Sequence, residues 1–482
     1  MINRQNIGLL LGSLIFFLLL LAPTPEGLSD EAMCVAAVAA LMAVWWLSEA
    51  VPIPATALLP IALFPLLGVM KTQEVTTAYA NHIIFLFMGG FLIAVTIEKW
   101  GLHKRIALHT IRMVGVSPNR IILGFMLATA FLSMWISNTA TAMMMVTIAL
   151  AVLKQTAKPV TGPQAEAVTS HSFACLLMLG IAYSASIGGV ATLIGTPPNA
   201  ILAGVIEKTY GVSIGFGEWM LFALPLSSLM LFLTWLYLTR LLRDQDSVNH
   251  TINAEVVHKE LTDLGPIKKE ERLVLIVFLT VATAWIVRSL VDIALFSKVS
   301  DASIAMLGAL ALFVIPSNLA KREFLLDWNT AVKIPWDIII LFGGGFALAH
   351  GFSESGLTEW FAHQLSGLEG ASVVLLVAVI VLLVVFLTEI TSNTATASLL
   401  LPVMGALAVA MGIDPLVTMA AVAVAASFAF MLPVATPPNA IVFGSRVVSI
   451  PQMARVGIVL NLIGVVLITA FIYLLLPVVF SI

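Results

Sequence analysis

The hexapeptide Ser-Asn-Thr-Ala-Thr-Ala occurs twice, at Ser137–Ala142 and at Ser392–Ala397. Thr-Pro-Pro-Asn-Ala-Ile also occurs twice, at Thr196–Ile201 and at Thr436–Ile441. All four uncharged polar motifs lie inside long apolar runs. Polar groups are tolerated at membrane depth only where they face protein or a water-filled cavity. Their pairing predicts one binding site assembled from two halves of the chain, a plan common among secondary transporters.

The surrounding sequence supports a bilayer setting. Of 482 residues, 60% are hydrophobic and only 10% charged, whereas soluble domains are about a quarter charged. Apolar stretches of roughly 20 residues recur along nearly the whole length, which predicts an all-α polytopic membrane protein. The net charge of −3 is small and scattered, which argues against nucleic acid as a partner. Cys34 and Cys175 lie in apolar runs without metal-ligand spacing and read as small buried hydrophobes. Arg4 before an apolar run resembles a signal peptide, but Pro23-Thr24-Pro25-Glu26 follows instead of a cleavage site, so this run reads as the first span.

Apolar segments fall near 7–22, 32–50, 54–69, 83–98, 121–152, 173–205, 217–240, 273–292, 302–317, 337–351, 373–410, 417–445 and 455–480. Segments 121–152 and 373–410 each carry Ser-Asn-Thr near the middle, which suits a re-entrant hairpin of two half-helices. Segments 173–205 and 417–445 carry the Pro-Pro pairs, which must interrupt a helix. Counting hairpins as non-crossing leaves about eleven transmembrane helices. Lys99, Lys104, Arg105, Arg112 and Arg120 precede the first hairpin and Lys154 and Lys158 follow it, so the positive-inside rule brings it in from the cytoplasm. The flanks of the second hairpin hold Glu354, Glu359, Glu369 and Asp414 but no Lys or Arg, so it enters from outside. Arg240 to Arg272, Lys321 to Lys333, Arg446 and Arg455 then fall inside, with the N-terminus cytoplasmic and the C-terminus outside.

The two halves keep register. Ser137 and Ser392 are 255 residues apart (392 − 137), and Gly89-Gly90-Phe91 with Gly344-Gly345-Phe346 keep that offset. The Thr-Pro-Pro-Asn pair is offset by 240 (436 − 196), because the first half carries the extra polar loop 154–170. An odd number of spans between equivalent points makes the repeats inverted. The expected organisation is a first span in 1–30, repeat one over 31–241, a hydrophilic cytoplasmic linker over 242–271 and repeat two over 272–482. The sequon Asn249-His250-Thr251 falls in that linker, on the wrong side for glycosylation.

A hairpin tip near the midplane leaves helix ends with unpaired N–H and C=O groups. Asn and Thr at the tip can cap the second half-helix, whose positive end then favours an anion. Thr of Thr-Pro-Pro-Asn can serve as an N-cap with proline in the first turn. The unwound Ile194-Gly195 and Val434-Ala435 expose carbonyls suited to Na⁺. No Arg or Lys lies beside either motif in sequence, so an anionic substrate needs neutralisation by helix ends and co-bound cations.

Other features have plainer readings. Glu49 and Glu98 sit at span ends and suit solvated or capping roles; Glu389, three residues before Ser392, is left open between structural and functional roles. His82, His103, His109, His350 and His363 read as interfacial, Met143-Met144-Met145 as packing and Trp45-Trp46 as an interfacial anchor. The Gly89-Gly90 and Gly343-Gly344-Gly345 runs follow no strand and read as close helix packing rather than nucleotide loops.

These residues resemble the divalent anion:sodium symporter (DASS) family, whose members carry di- and tricarboxylates or sulfate. The resemblance spans nearly the whole chain. It rests on Trp45-Trp46-Leu47-Ser48-Glu49-Ala50, Phe85-Leu86-Phe87-Met88-Gly89-Gly90-Phe91, Lys99-Trp100-Gly101-Leu102 and both motif pairs. It implies a homodimer in which a scaffold holds the dimer and a transport domain, with both hairpins and both broken helices, moves like an elevator. It implies one Na⁺ site from Ser133, Ser137, Asn138 and Gly195 and a second from Thr388, Thr391, Asn393 and Ala435. Substrate carboxylates would meet Asn138, Thr139, Thr196, Asn393, Thr394, Thr436 and Pro437. Ala435 stands where repeat one has Gly195, and Thr391 stands opposite Ile136, so the two cation sites need not be equal.

The resulting expectation is a Na⁺-coupled symporter of C4-dicarboxylates such as succinate, fumarate or malate in the plasma membrane, with no cofactor beyond Na⁺ as coupling ion. A Na⁺-independent dicarboxylate exchanger and a symporter of citrate, tartrate or sulfate are the near alternatives. An anion channel needs a continuous pore, which two opposed hairpins meeting at one site do not suggest. A membrane enzyme needs a nucleophile or metal constellation, and no His-Glu-x-x-His, Gly-x-Ser-x-Gly or Cys/His cluster occurs in the sequence.

Overall fold

The computed structural model describes residues 4–115, 117–156, 169–243, 254–291, 298–365 and 372–482. The N-terminal half begins with α1 (Arg4–Leu21), α2 (Asp30–Ser48), the short α3 (Ile53–Thr56), α4 (Leu59–Leu66) and α5 (Thr72–Ala78), then α6 (His82–Lys99) and α7 (Leu102–Val114). The first hairpin is α8 (Pro118–Ser133) with α9 (Asn138–Thr156), and the first broken helix is α10 (Thr169–Val190) with α11 (Pro197–Tyr210). α12 (Phe216–Arg243) closes this half and α13 (Ala254–Leu264) follows it. The second half runs α14 (Lys269–Leu290), α15 (Asp301–Val314), an antiparallel pair β1 (Pro316–Asn318) and β2 (Glu323–Phe324), α16 (Trp328–Ala331), α17 (Trp336–Glu354) and α18 (Leu357–Leu365). Its hairpin is α19 (Val373–Thr388) with α20 (Asn393–Ala410), and its broken helix is α21 (Pro415–Ala425) with α22 (Pro437–Gly444). α23 (Ile450–Leu474) and α24 (Leu476–Phe480) end the chain.

Among the described residues, nine helices are long and apolar enough to cross a membrane. The segment expected as one span over 54–69 is instead split into α3 and α4, because prolines at 52, 54, 60 and 65 interrupt the ladder of backbone hydrogen bonds. The hydrophilic linker holds a helix as well. α13 docks on α7 through Lys104 and Glu260 (2.8 Å), and Arg105 donates to the carbonyls of Leu264, Gly265 and Pro266 while pairing with buried Glu271 at 2.8 Å. The sequon and most of loop 154–170 lie outside the described residues.

Lipid offers helices little hydrophobic reason to associate, so close approach through small residues carries much of the packing. A Cβ on Gly89 would stand 2.6 Å from the Ala305 backbone, and one on Gly344 would stand 2.4 Å from Ala57 O. The glycine runs are thus contact surfaces between helices, as read from sequence. Trp45-Trp46 corrects another reading. Trp46 is buried and donates to Ile53 O at 3.0 Å, and Trp45 covers Gly12 of α1, so the pair fastens α1 and α3 to α2 rather than anchoring at the interface.

The halves interlock around the motifs. α11 packs on α20 and α21 of the other half, and α22 packs on α9 and α10. The second half-helix of each hairpin, α9 or α20, therefore packs against the broken helix of the other half.

Candidate functional site

All four motifs line one cavity of about 560 Å³. Asn138, Asn393, Pro197 and Pro437, the first residues of α9, α20, α11 and α22, all contribute to its wall. Four helix N-termini, with their positive dipole ends, thus begin at one space; α9 and α20 also bring first-turn backbone N–H groups, whereas the Pro-Pro starts of α11 and α22 bring none. Ser137 Oγ caps α9 by accepting from Ala140 N–H (3.2 Å), and Thr436 Oγ1 caps α22 by accepting from Asn439 N–H (3.2 Å). The expected cap at Thr196 is not made; its hydroxyl meets Ser427 Oγ of the other half at 3.2 Å. Asn138 and Thr139 do not cap either, because the cap position belongs to the serine before them.

Beneath each tip a buried hydroxyl gathers oxygen atoms. Thr388 Oγ1 lies 2.7 Å from Asn393 Oδ1 and 2.9 Å from Ala426 O. Ser133 Oγ lies against Asn138 Oδ1 and 2.7 Å from Ala185 O. A hydroxyl has one proton to donate, so the second tip holds three oxygens around a single hydrogen. At the first tip, the amide atom of Asn138 facing the cluster is also 3.2 Å from Gly195 O. Turned nitrogen-inward, this amide donates to Ser133 Oγ, Ala185 O and Gly195 O; turned oxygen-inward, it presents four oxygens to a bound cation. Neutral carbonyl, amide and hydroxyl oxygens at unwound helix ends are the donor set that suits Na⁺.

The unwound stretches are held by matching asparagines. Asn199 Nδ2 donates to Val190 O (3.0 Å) and Thr192 O (2.8 Å), and Asn439 Nδ2 donates to Ala429 O (3.1 Å) and Leu432 O (3.0 Å). In the second half, among the described residues, a carboxylate joins them. Glu389 accepts from the backbone N–H of Phe430, Met431 and Leu432 at 2.7–3.0 Å and from Asn461 Nδ2 at 2.8 Å. That resolves its open role as structural: it satisfies the orphaned N–H groups of the break between α21 and α22.

A family model for the sodium:sulfate symporter transmembrane region matches residues 3–482. The chain belongs to this family. It is 45% identical over 476 residues to the sodium-dependent dicarboxylate transporter SdcS of Staphylococcus saprophyticus, covering 98% of this chain and 92% of that one. The SdcS of a bovine Staphylococcus aureus strain is 45% identical over 481 residues, covering 99% and 92%. Two solved structures share the fold. The YdaH transporter of Alcanivorax borkumensis matches with TM-score 0.55 and 14% identity over 82% of this chain and 85% of its own. MtrF of Neisseria gonorrhoeae matches with TM-score 0.60 and 13% identity over 96% and 94%. The protein is a helical, multi-pass membrane transporter and not an enzyme.

Of the residues expected at the site, Ser137, Asn138, Thr139, Gly195, Thr196, Thr391, Asn393, Thr394, Ala435, Thr436 and Pro437 line the cavity. Ser133 and Thr388 lie fully buried beneath the asparagines. Thr391 reaches the wall, but its hydroxyl bonds Leu387 O and Thr396 Oγ1 within its own hairpin. Sequence reasoning missed the carbonyls of Ala185 and Ala426, because a backbone ligand has no side-chain signature. It also placed no cation near the motifs, yet Arg4 of α1 donates to Ile390 O (3.4 Å), two residues before Ser392. Glu49 and Asp337 line the cavity as exposed carboxylates from α2's C-cap and the first turn of α17. Contacts this distant in sequence leave no local trace.

Proposed function

We propose that the chain is a Na⁺-coupled symporter of C4-dicarboxylates. The observation that carries this reading is a cavity where four helix N-termini begin, with a buried cluster of hydroxyl, carbonyl and amide groups beneath each of Asn138 and Asn393. The clusters favour cations and the N-termini favour an anion. No Lys or Arg is among the residues lining this cavity, so a dianion bound there depends on the co-bound cations for charge balance. The SdcS relatives, named sodium-dependent dicarboxylate transporters, support the same choice of ion and substrate.

In this reading the first Na⁺ is held by Ser133, Ser137, Asn138 and Gly195 with Ala185 O, and the second by Thr388, Asn393 and Ala435 with Ala426 O, beside Thr391. Substrate carboxylates meet Thr139, Thr394, Thr196, Thr436 and Pro437 together with the two asparagine amides. The hairpins and broken helices bond among themselves, through Thr196–Ser427 and Glu389–Phe430 for example. The wall facing them is mostly apolar, from Ile53, Phe87, Phe91, Ile338 and Leu341, with the carboxylates of Glu49 and Asp337 at its edge. That contrast supports an elevator in which a transport domain of both hairpins and both broken helices slides as one body against a dimeric scaffold, with the N-terminus cytoplasmic and the C-terminus outside, as the basic residues suggest.

The test is radiolabelled succinate uptake into proteoliposomes under inward Na⁺, Li⁺, K⁺ or choline gradients. Uptake driven by Na⁺ and accelerated by an inside-negative potential is the expected result. Uptake indifferent to Na⁺ but dependent on preloaded dicarboxylate would make the protein an exchanger. Absence of succinate uptake would redirect the substrate to citrate, tartrate or sulfate.

A further inference from the structure

A second cavity, of about 390 Å³, lies away from the motifs, between α10, α12 and α23. Cys175, Leu176, Leu241, Pro451 and Val456 make it largely apolar, and Gln452 and Arg455 are its polar members. Gln452 is already engaged: its Oε1 accepts from Ser449 N–H (3.0 Å) and Oγ (2.7 Å) in a capping box. Arg455 is exposed, and among the described residues no carboxylate or carbonyl pairs with it. The cavity sits close to one set of helix ends. Cys175 is six residues from the start of α10 (175 − 169), Arg455 five from the start of α23 (455 − 450) and Leu241 two from the end of α12 (243 − 241). At 1.5 Å per residue, that is the depth of the polar headgroups for helices that reach the bilayer surface.

We propose that this cavity binds an anionic glycerophospholipid, its phosphate on Arg455 and an acyl chain along Cys175, Leu176, Leu241 and Val456. Charge complementarity selects the ligand. A guanidinium with no partner among the described residues, at the mouth of an apolar cavity, calls for an anion carrying hydrocarbon, and the bilayer supplies that molecule at this depth. Arg240 on α12 and Arg446 just before α23 add positive charge at the same helix ends. A soluble phosphate would leave the apolar walls wet. Because α10 continues through the unwound stretch into α11, the lipid would sit on the element that carries Gly195 and Thr196.

Native mass spectrometry of the full-length protein, offered phosphatidylglycerol or phosphatidylcholine, tests the site. The wild type should retain phosphatidylglycerol about fivefold more than Arg455→Ala, the equivalent of about 1 kcal/mol for one basic residue at a lipid surface. Equal retention by both would overturn the proposal. Cys175 gives a readout that does not depend on the arginine variant folding. In a Cys34→Ser background, vesicles containing phosphatidylglycerol should slow labelling of Cys175 by an apolar maleimide, relative to phosphatidylcholine alone. Equal labelling rates in the two lipids, or equal protection by soluble glycerol phosphate, would also overturn it.

Discussion

A single methyl group on Gly195 should disable the first cation site, whereas its counterpart position already carries one. In Gly195→Ala the new Cβ would stand 2.3 Å from Gly189 O, where ordinary contact begins at 3.4 Å, a shortfall of 1.1 Å. Both partners are backbone, so no side chain can swing away. Relief must move residue 189 or residue 195 itself. Gly195 O lies 3.2 Å from the inward-facing amide atom of Asn138, so that movement shifts a cation ligand by a large part of its bond length. Overpacking of this kind costs about 1–3 kcal/mol, which read as Na⁺ affinity is roughly a 5- to 150-fold loss. The reciprocal change, Ala435→Gly, removes a buried methyl and meets no clash; the added backbone freedom costs only about 0.5–1 kcal/mol. The assay is Na⁺ activation of succinate uptake in proteoliposomes, with size-exclusion profiles to establish folding. A folded Gly195→Ala protein with unchanged half-saturating Na⁺ would refute the reasoning, as would an Ala435→Gly protein impaired more than it.

Asn138→Ala and Asn393→Ala should each abolish uptake while the protein stays folded and membrane-inserted; normal transport by either would sink the site assignment. Arg105→Ala strands the buried carboxylate of Glu271 and frees three linker carbonyls, so it should destabilise the protein by about 3–5 kcal/mol in thermal melts, with little loss if the pair is dispensable. The hydrogen bond from Lys99 (2.6 Å), opposed by slight desolvation and aided by Thr330, lowers the carboxyl of Asp327 from 3.8 to about 2. A depressed folded value stabilises above the unfolded value and is lost as pH falls through the folded one. The small advantage of the wild type over Asp327→Asn should therefore hold from neutrality to about pH 4 and vanish near pH 2. A melting-temperature difference that grows on acidification would contradict it.

The amino-acid sequence by itself determined the helical membrane class, the two hairpins, the two broken helices and most of the cavity wall. Ser133, Ser137 and Asn138 sit within six residues of one another, and Pro-Pro interrupts a helix wherever it occurs, so these features are local and repeat visibly. Tertiary structure alone decided the rest. Only packing brings Ala185 O to Ser133 and Ala426 O to Thr388, and a carbonyl looks the same beside every residue type. Glu389 gained its role from N–H groups 41 to 43 positions away, exposed by a break whose register only the fold sets. Arg4 reaches Ile390 across 386 positions, and Glu49 and Asp337 come to one rim from separate helices. Periodicity and composition report which way a side chain faces along its own element. They carry no information about which distant backbone groups that face will meet.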